Sequence, residues 1–176
     1  MRIVLIGQAA FGASVLEALV DQKWVVAGVF TVPDRPGGRP DPLKEAAMKH
    51  DIPLFQPQRL ADPAAVETFL GCSPDLGVMA FVTDWVPKAM LTMPTHGVIQ
   101  YHPSLLPKHR GPSSMNWPII FGETKTGLTV FWPDKGLDTG PVLLQKETEI
   151  GPDDTMGSLY FGRLFPMGVD AMVESV

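Results

Sequence analysis

The sequence has little of what stabilises small extracellular or metal-dependent domains. Cys72 is the only cysteine, and the four histidines are not spaced as metal ligands. A single cysteine cannot form an internal disulfide, which is typical of proteins from a reducing compartment. We therefore expect neither a disulfide framework nor a metal site.

Long apolar runs are missing as well. The first run, Arg2 to Gly7, ends in glycine and is too short for a membrane span or a secretory signal. Charged residues make up 19% of the chain and the net charge is −5, which argues against a large nucleic-acid footprint. We expect a cytoplasmic protein that binds neither a membrane nor a nucleic acid.

The phosphate-binding fingerprints are incomplete. Residues 7–12 read G-Q-A-A-F-G, without the second glycine of G-x-G-x-x-G and without the Lys-Ser/Thr of a P-loop. A dinucleotide site is therefore disfavoured. The glycines favour a tight turn and close packing of a helix on a strand, and binding of a substrate anion at the helix N-terminus is a lesser alternative.

Apolar strand-like runs alternate with helical patterns along the 176 residues. This alternation predicts one α/β domain, residues 1–176, with a mostly parallel central sheet, helices on both faces and an antiparallel edge. The predicted strands are 2–7, 24–31, 53–55, 76–81, 98–102, 128–132 and the edge strand 141–148. The predicted helices are 13–20, 43–49, 63–70, one after 87, and 156–173 with a kink or break at Pro166.

The stretch from Gly97 to Gln145 carries the candidate chemistry. Gln100 and His102 share one face of a strand that Pro103 ends, because proline has no N–H for the sheet. Asp138 lies in a glycine-bracketed loop after the next strand. If the two strand ends are neighbours, the carboxylate can orient the imidazole, an arrangement suited to proton transfer.

Other interpretations compete with these. A lone histidine at a strand end is more often a structural residue. Lys108, His109 and Arg110 fit a solvated loop better than an anion site, and residues 32–42 fit a mobile connection. The aromatic residues and methionines of the last helix are expected to lie in the core.

Two blocks carry a resemblance to a known family. H-P-S-L-L-P-K-H-R-G, starting at His102, is followed by G-L-D-T-G, starting at Gly136. Together they resemble the signature of the folate-dependent formyltransferases, which have a Rossmann-like fold. The similarity is greatest to the N-terminal hydrolase domain of the 10-formyltetrahydrofolate dehydrogenases, through V-F-T-V-P-D at 29–34 and L-L-Q-K-E at 143–147 as well.

The resemblance implies roles for individual residues. His102 and Asp138 match the catalytic pair of the family. Gln100 stands where most members have asparagine, so the amide is kept with one methylene added. The positions implied for folate binding are Asp84, Trp85, Val86, Ser104, Leu105, Leu106, Pro107 and Asp138.

The implied activity is cleavage of the formyl group of 10-formyltetrahydrofolate, with tetrahydrofolate as product. Protonated His102, with the Gln100 amide, is expected to stabilise the oxyanion, and such a donor is worth about 3 kcal/mol. The acceptor stays open between water and an amine, including methionyl-tRNA or a sugar amine. A non-catalytic folate- or nucleotide-binding module is the alternative from another class. Further C-terminal domains are expected in a longer protein.

Overall fold

The computed structural model describes all residues, 1–176. Its strands are β1 Arg2–Gly7, β2 Val25–Phe30, β3 Leu54–Phe55, β4 Leu76–Ala80, β5 Val98–His102, β6 Lys125–Phe131 and β7 Val142–Glu149. Its helices are α1 Ala9–Asp21, α2 Pro42–Lys49, α3 Pro63–Gly71, α4 Lys88–Thr92, α5 Asn116–Ile120, α6 Met156–Leu159 and α7 Phe165–Glu174, with a π-helix at Tyr160–Leu164. The strand order is β3-β2-β1-β4-β5-β6-β7. The protein thus has the predicted α/β fold, with helices around one sheet that has an antiparallel edge.

The chain divides into two compact units, Met1–Ile99 and Gln100–Val176. In the first unit β1 pairs in parallel with β2 and with β4, and β2 pairs in parallel with β3. Successive side chains of β1 point to opposite faces of the sheet. Val4 and Ile6 pack with Phe69 of α3 and Met90 of α4, and α1 packs against β1 and α2.

A close approach of β1 to β4 explains the first glycine. A Cβ on Gly7 would lie 2.4 Å from the carbonyl oxygen of Ala80. Any larger residue would push the two strand ends apart, because real Cβ atoms do not approach backbone oxygens so closely. This close approach joins two strands, whereas the glycines of this stretch were predicted to allow a tight turn and close packing of a helix on a strand.

The second unit is antiparallel. Gln100 to His102 of β5 pair with β6, and β6 pairs along its length with β7. Helix α7 packs against β6 and β7. The predicted antiparallel edge is confirmed, with β7 as its last strand.

The predicted last helix is interrupted before its proline. Thr155 caps α6 by accepting the Ser158 N–H, and a π-helix turn then precedes α7, where Pro166 lies in the first turn. Proline is tolerated there because a first-turn N–H has no helical acceptor. The expectation that the aromatic residues and methionines of the last helix lie in the core is wrong for Phe161 and Met156, which are 70% and 41% exposed.

The loop predicted as a mobile connection is tied at both ends. Near its start, Asp34 pairs with Lys44 and accepts Nε2 of Gln56 at 3.2 Å. Near its end, Asp41 caps α2 by accepting the Leu43 N–H at 2.8 Å. The contacts of Asp34 join residues 10 and 22 positions apart, so local patterns could not connect them, whereas the Asp41 cap is a local contact.

No helix is both long enough and apolar enough to cross a lipid bilayer.

Candidate active site

His102 is the last residue of β5 and is buried, with 6% of its surface exposed. It pairs across the antiparallel ladder with Thr129, and Gln100 pairs with Phe131. The two-residue period of a strand places Gln100 and His102 on one face, as predicted. Gln100 is half-buried.

Asp138 lies in the loop between β6 and β7, and a second aspartate, Asp134, stabilises this loop by accepting two hydrogen bonds. Asp134 Oδ1 accepts the Thr139 hydroxyl at 2.6 Å and the Gly136 N–H at 2.8 Å. The first of these hydrogen bonds is the largest cause of a lowered pKa at Asp134. The braced loop gives the catalytic candidate a fixed backbone.

The end of this loop requires glycine. A Cβ on Gly140 would lie 1.7 Å from the carbonyl oxygen of Trp132, and Trp132 donates its own N–H to Pro141 O at 3.0 Å. Asp138 itself has φ of 51°, in the left-handed region that few residues other than glycine adopt. The G-L-D-T-G block is thus a compact turn that projects the Asp138 carboxylate.

The structure brings His102 and Asp138 together. Nδ1 of the histidine lies 3.5 Å from Oδ2 of the aspartate, and each side chain is 8% exposed. This separation is an ion-pair distance and is longer than an ordinary hydrogen bond. Oδ2 also accepts the Gly111 N–H at 2.8 Å, and Arg110 Nε donates to the Asp138 carbonyl oxygen at 3.0 Å.

The other ring nitrogen fixes the tautomer. Nε2 of His102 lies 2.9 Å from the carbonyl oxygen of His109. A carbonyl oxygen can only accept, so Nε2 carries the hydrogen in the neutral ring. Nδ1 is then the nitrogen that gains or loses a proton, beside Asp138.

The segment Ser104–Pro107, which was expected to lie along the ligand, is held by the buried hydroxyl of Ser104. Ser104 is fully buried, and its hydroxyl donates to Lys108 O at 2.7 Å and is 3.3 Å from His109 O. The Leu106–Pro107 peptide bond is cis. The hydroxyl therefore ties the segment to Lys108 and to His109, whose carbonyl oxygen contacts His102.

Two residues that hold this segment, Thr129 and Gln145, were not predicted from the sequence. The Thr129 hydroxyl donates to Ser104 O at 2.7 Å and accepts the Leu106 N–H at 3.0 Å. Nε2 of Gln145 donates to the same hydroxyl and to Leu106 O, each at 2.9 Å. A polar Thr129 inside the apolar run of β6 was the available signal.

The three residues Lys108, His109 and Arg110 have different surroundings. His109 Nε2 lies 2.7 Å from Glu123 Oε1, and the His109 side chain is only 12% exposed. Arg110 is exposed and donates to the Asp138 carbonyl oxygen, and Lys108 is exposed as well. The solvated-loop interpretation thus does not describe His109, whose partner Glu123 lies 14 residues away.

In the first unit, the three residues implied for folate binding, Asp84, Trp85 and Val86, differ in their contacts and burial. Asp84 accepts the Leu60 N–H at 2.7 Å and the Trp85 N–H at 2.8 Å. Trp85 is 63% exposed, and Val86 is buried in the core. The Trp85 N–H is thus already used, which leaves its carbonyl and its exposed ring for a ligand.

The start of α1, considered for a substrate anion, already faces a carboxylate. The Ala9 N–H donates to both oxygens of Asp41, at 3.0 and 2.9 Å. The same carboxylate caps α2. The negative group favoured at a helix N-terminus is therefore supplied by the protein itself.

A family model described as formyl transferase matches residues 1–176. The chain belongs to this formyl transferase family. The predicted family resemblance is thereby confirmed over the whole chain.

Several members of the family are similar to this chain. It is 45% identical over 181 residues to the mitochondrial 10-formyltetrahydrofolate dehydrogenase of Mus musculus and to the cytosolic one of Homo sapiens, covering 100% of this chain and 20% of each relative. It is 41% identical over 181 residues to methionyl-tRNA formyltransferase of Alkaliphilus oremlandii, covering 100% of this chain and 58% of that relative. The chain therefore spans about a fifth of the dehydrogenases it matches.

Solved structures support the fold. Glycinamide ribonucleotide transformylase 1 from Symbiobacterium toebii superimposes with a TM-score of 0.85 at 23% identity, covering 99% of this chain and 85% of that chain. This likeness confirms the Rossmann-like formyltransferase architecture.

Proposed function

We propose that this chain is an N-terminal catalytic domain that cleaves the formyl group of 10-formyltetrahydrofolate and passes it to water. The observation that carries the proposal is the buried His102–Asp138 pair, in which Nδ1 of the histidine faces the carboxylate. The 45% identity to 10-formyltetrahydrofolate dehydrogenases over the full chain supports the choice of substrate.

His102 acts through Nδ1. With Nε2–H held by His109 O, a proton on Nδ1 faces Asp138, and an oxygen bound beside the pair can contact both groups. The imidazolium stabilises the oxyanion that forms when water adds to the formyl carbon, and a preorganised donor of this kind contributes about 3 kcal/mol. The Gln100 amide, on the same face of β5, is the second donor.

Asp138 accepts a proton from the attacking water, directly or through a bridging water. The C–O bond forms first, and the C–N10 bond breaks as N10 receives a proton from the site. The products are formate, tetrahydrofolate and one released proton. The chemistry requires no metal, because a formyl carbonyl is already electrophilic.

Ser104, Leu105, Leu106 and Pro107 form the proposed folate-contacting segment of the second unit. In the first unit, we propose that Asp84, Trp85 and Val86 take part in folate binding through the backbone and the exposed Trp85 ring. Quenching of tryptophan fluorescence by tetrahydrofolate, lost in Trp85→Phe, tests the latter assignment. Undiminished quenching in that variant would refute it.

Transfer to an amine is the second candidate, favoured by the 41% identity to a methionyl-tRNA formyltransferase. A sugar amine is an acceptor of the same class. A non-catalytic binding module is disfavoured, because folate binding alone does not need a buried imidazole beside a buried carboxylate.

We also propose that the protein is cytoplasmic, because its single cysteine, Cys72, is buried and forms no disulfide.

The deciding experiment mixes the protein with 10-formyltetrahydrofolate without any amine and follows formate and tetrahydrofolate. We expect release of both, lost in His102→Ala. Release of tetrahydrofolate only after an amine is added would show that the formyl group is transferred to an amine and not to water. Folate binding without any turnover, with water or with amines, would refute the catalytic proposal.

A further inference from the structure

One short segment contacts both proposed catalytic groups. His109 presents its carbonyl oxygen to Nε2 of His102 at 2.9 Å. Two residues later, the Gly111 N–H donates to Oδ2 of Asp138 at 2.8 Å. Displacement of this segment would therefore misdirect the imidazole and the carboxylate together.

The backbone of His109 is in an unfavourable conformation. Its φ is 51°, in the left-handed region where a Cβ crowds the following carbonyl. A conformation of this kind persists only where the surroundings hold it. The direction of the His109 carbonyl therefore depends on what fixes the residue.

The His109 side chain supplies this restraint. Its Nε2 lies 2.7 Å from Glu123 Oε1, and its ring stacks on Phe121 with centroids 6.2 Å apart. Glu123 is itself located by its N–H, which donates to Pro118 O at 2.8 Å. The other charge near Glu123 is the exposed Lys108, at 3.9 Å, a separation too long for a hydrogen bond.

We propose that Glu123 and His109 are positioning residues for the formyl-cleaving reaction. Glu123 holds the His109 ring, the ring holds the backbone, and the backbone carbonyl keeps Nε2–H of His102 engaged so that Nδ1 faces Asp138. This inference rests on the proposed function, because it needs His102 to be catalytic for its kinetic effect. The effect on the His102 ring itself does not depend on that function.

The kinetic test compares Glu123→Ala with Glu123→Gln. Glu123→Ala is expected to lower kcat about 10- to 100-fold, the size expected when catalytic groups are slightly misplaced. The folate Kd should stay within about threefold, because a positioning residue acts on the chemical step. Glu123→Gln keeps an oxygen acceptor for His109 and should recover part of kcat. The control Glu147→Ala breaks an exposed pair with Lys125 in the same unit and should leave kcat unchanged.

The second readout is the ¹⁵N NMR spectrum of the His102 ring. The wild-type protein should show the Nε2–H tautomer, and Glu123→Ala should lose this preference. A folded Glu123→Ala protein with unchanged His102 signals and unchanged kcat would overturn the inference. If Glu123→Ala does not fold, the same outcomes in His109→Ala decide it, because that change removes the restrained ring and keeps the backbone carbonyl. Full activity of His102→Ala would instead refute the proposed function, while the ring spectrum would still test the positioning.

Discussion

Nδ1 of His102 lies 3.5 Å from Oδ2 of Asp138, while Nε2 of the same ring donates to the carbonyl oxygen of His109. The imidazole is thus oriented mainly by a backbone carbonyl, and its side toward the aspartate is not closed by a direct hydrogen bond. Catalytic hydrogen bonds are often long before substrate binds. A reacting oxygen or a water that lies beside the pair can contact both groups, which is what the proposed mechanism needs.

Replacing Asp138 by Asn should separate its charge from its structural contact. The Asn carbonyl can still accept the Gly111 N–H, so the loop should keep its shape. Loss of the carboxylate should lower kcat about 10²- to 10⁴-fold, the usual contribution of an acid or base. The measurements are formate release and the urea midpoint. A normal kcat in a stable Asp138→Asn protein would contradict the proposed role of the carboxylate.

The catalytic candidates could be predicted from the sequence because each carries a local signal. Gln100 and His102 alternate along a strand that Pro103 ends, and Asp138 is bracketed by Gly136 and Gly140. Period, turn residues and chain order place these side chains in the fold, and the family resemblance supplies the roles implied for them. The same local patterns predicted most strands and the parallel first unit.

The supporting contacts could not be predicted, because they join residues far apart in the chain. Gln145 reaches Leu106 across 39 residues, and Asp41 reaches Ala9 across 32. Helical spacing also does not distinguish a π-helix turn from an α-helix, so a kink or break was predicted at Pro166 but the π-helix turn before it was not. A pattern describes an element, whereas these features depend on what the element packs against.

Thr129→Val should destabilise the second unit and disturb the Ser104–Pro107 segment. The change removes a buried hydroxyl and leaves the Leu106 N–H without its acceptor. An unsatisfied buried donor costs about 1–3 kcal/mol in the free energy of unfolding. Chemical denaturation measures the loss, and we expect a higher Kd for folate as well.

Thr126 gives a matched control on the same strand. It is also buried, at 3% exposure, but its hydroxyl has no hydrogen-bond partner. Thr126→Val should therefore leave the free energy of unfolding unchanged or increase it. Equal losses for the two valine variants would show that the Thr129 hydrogen bonds do not stabilise the segment.

Gly140→Ala should damage the loop that carries Asp138. Its Cβ would lie 1.7 Å from Trp132 O, so the base of the loop must open. We expect a loss of about 3 kcal/mol in the free energy of unfolding, at the upper end for overpacking, together with reduced kcat. Gly71→Ala, where a Cβ would meet nothing within 4 Å, is the control and should be tolerated. Similar stability of both variants would contradict the tight loop.

The stability contributed by Asp154 should disappear in acid. The hydrogen bond from Arg163, with those from Gly151 N–H and Ser158, lowers the pKa of the Asp154 carboxyl from 3.8 to about 2. A group with a lowered folded pKa stabilises the protein above its unfolded pKa and loses this effect as the pH falls through its folded pKa. Asp154→Asn should therefore be less stable than wild type at pH 6, with the difference in the free energy of unfolding shrinking below about pH 4 and vanishing near pH 2. Urea titrations across this range measure it, with the exposed neighbour Asp153→Asn as control. A difference that stays constant down to pH 2 would show that the charge of Asp154 is not what stabilises the start of α6.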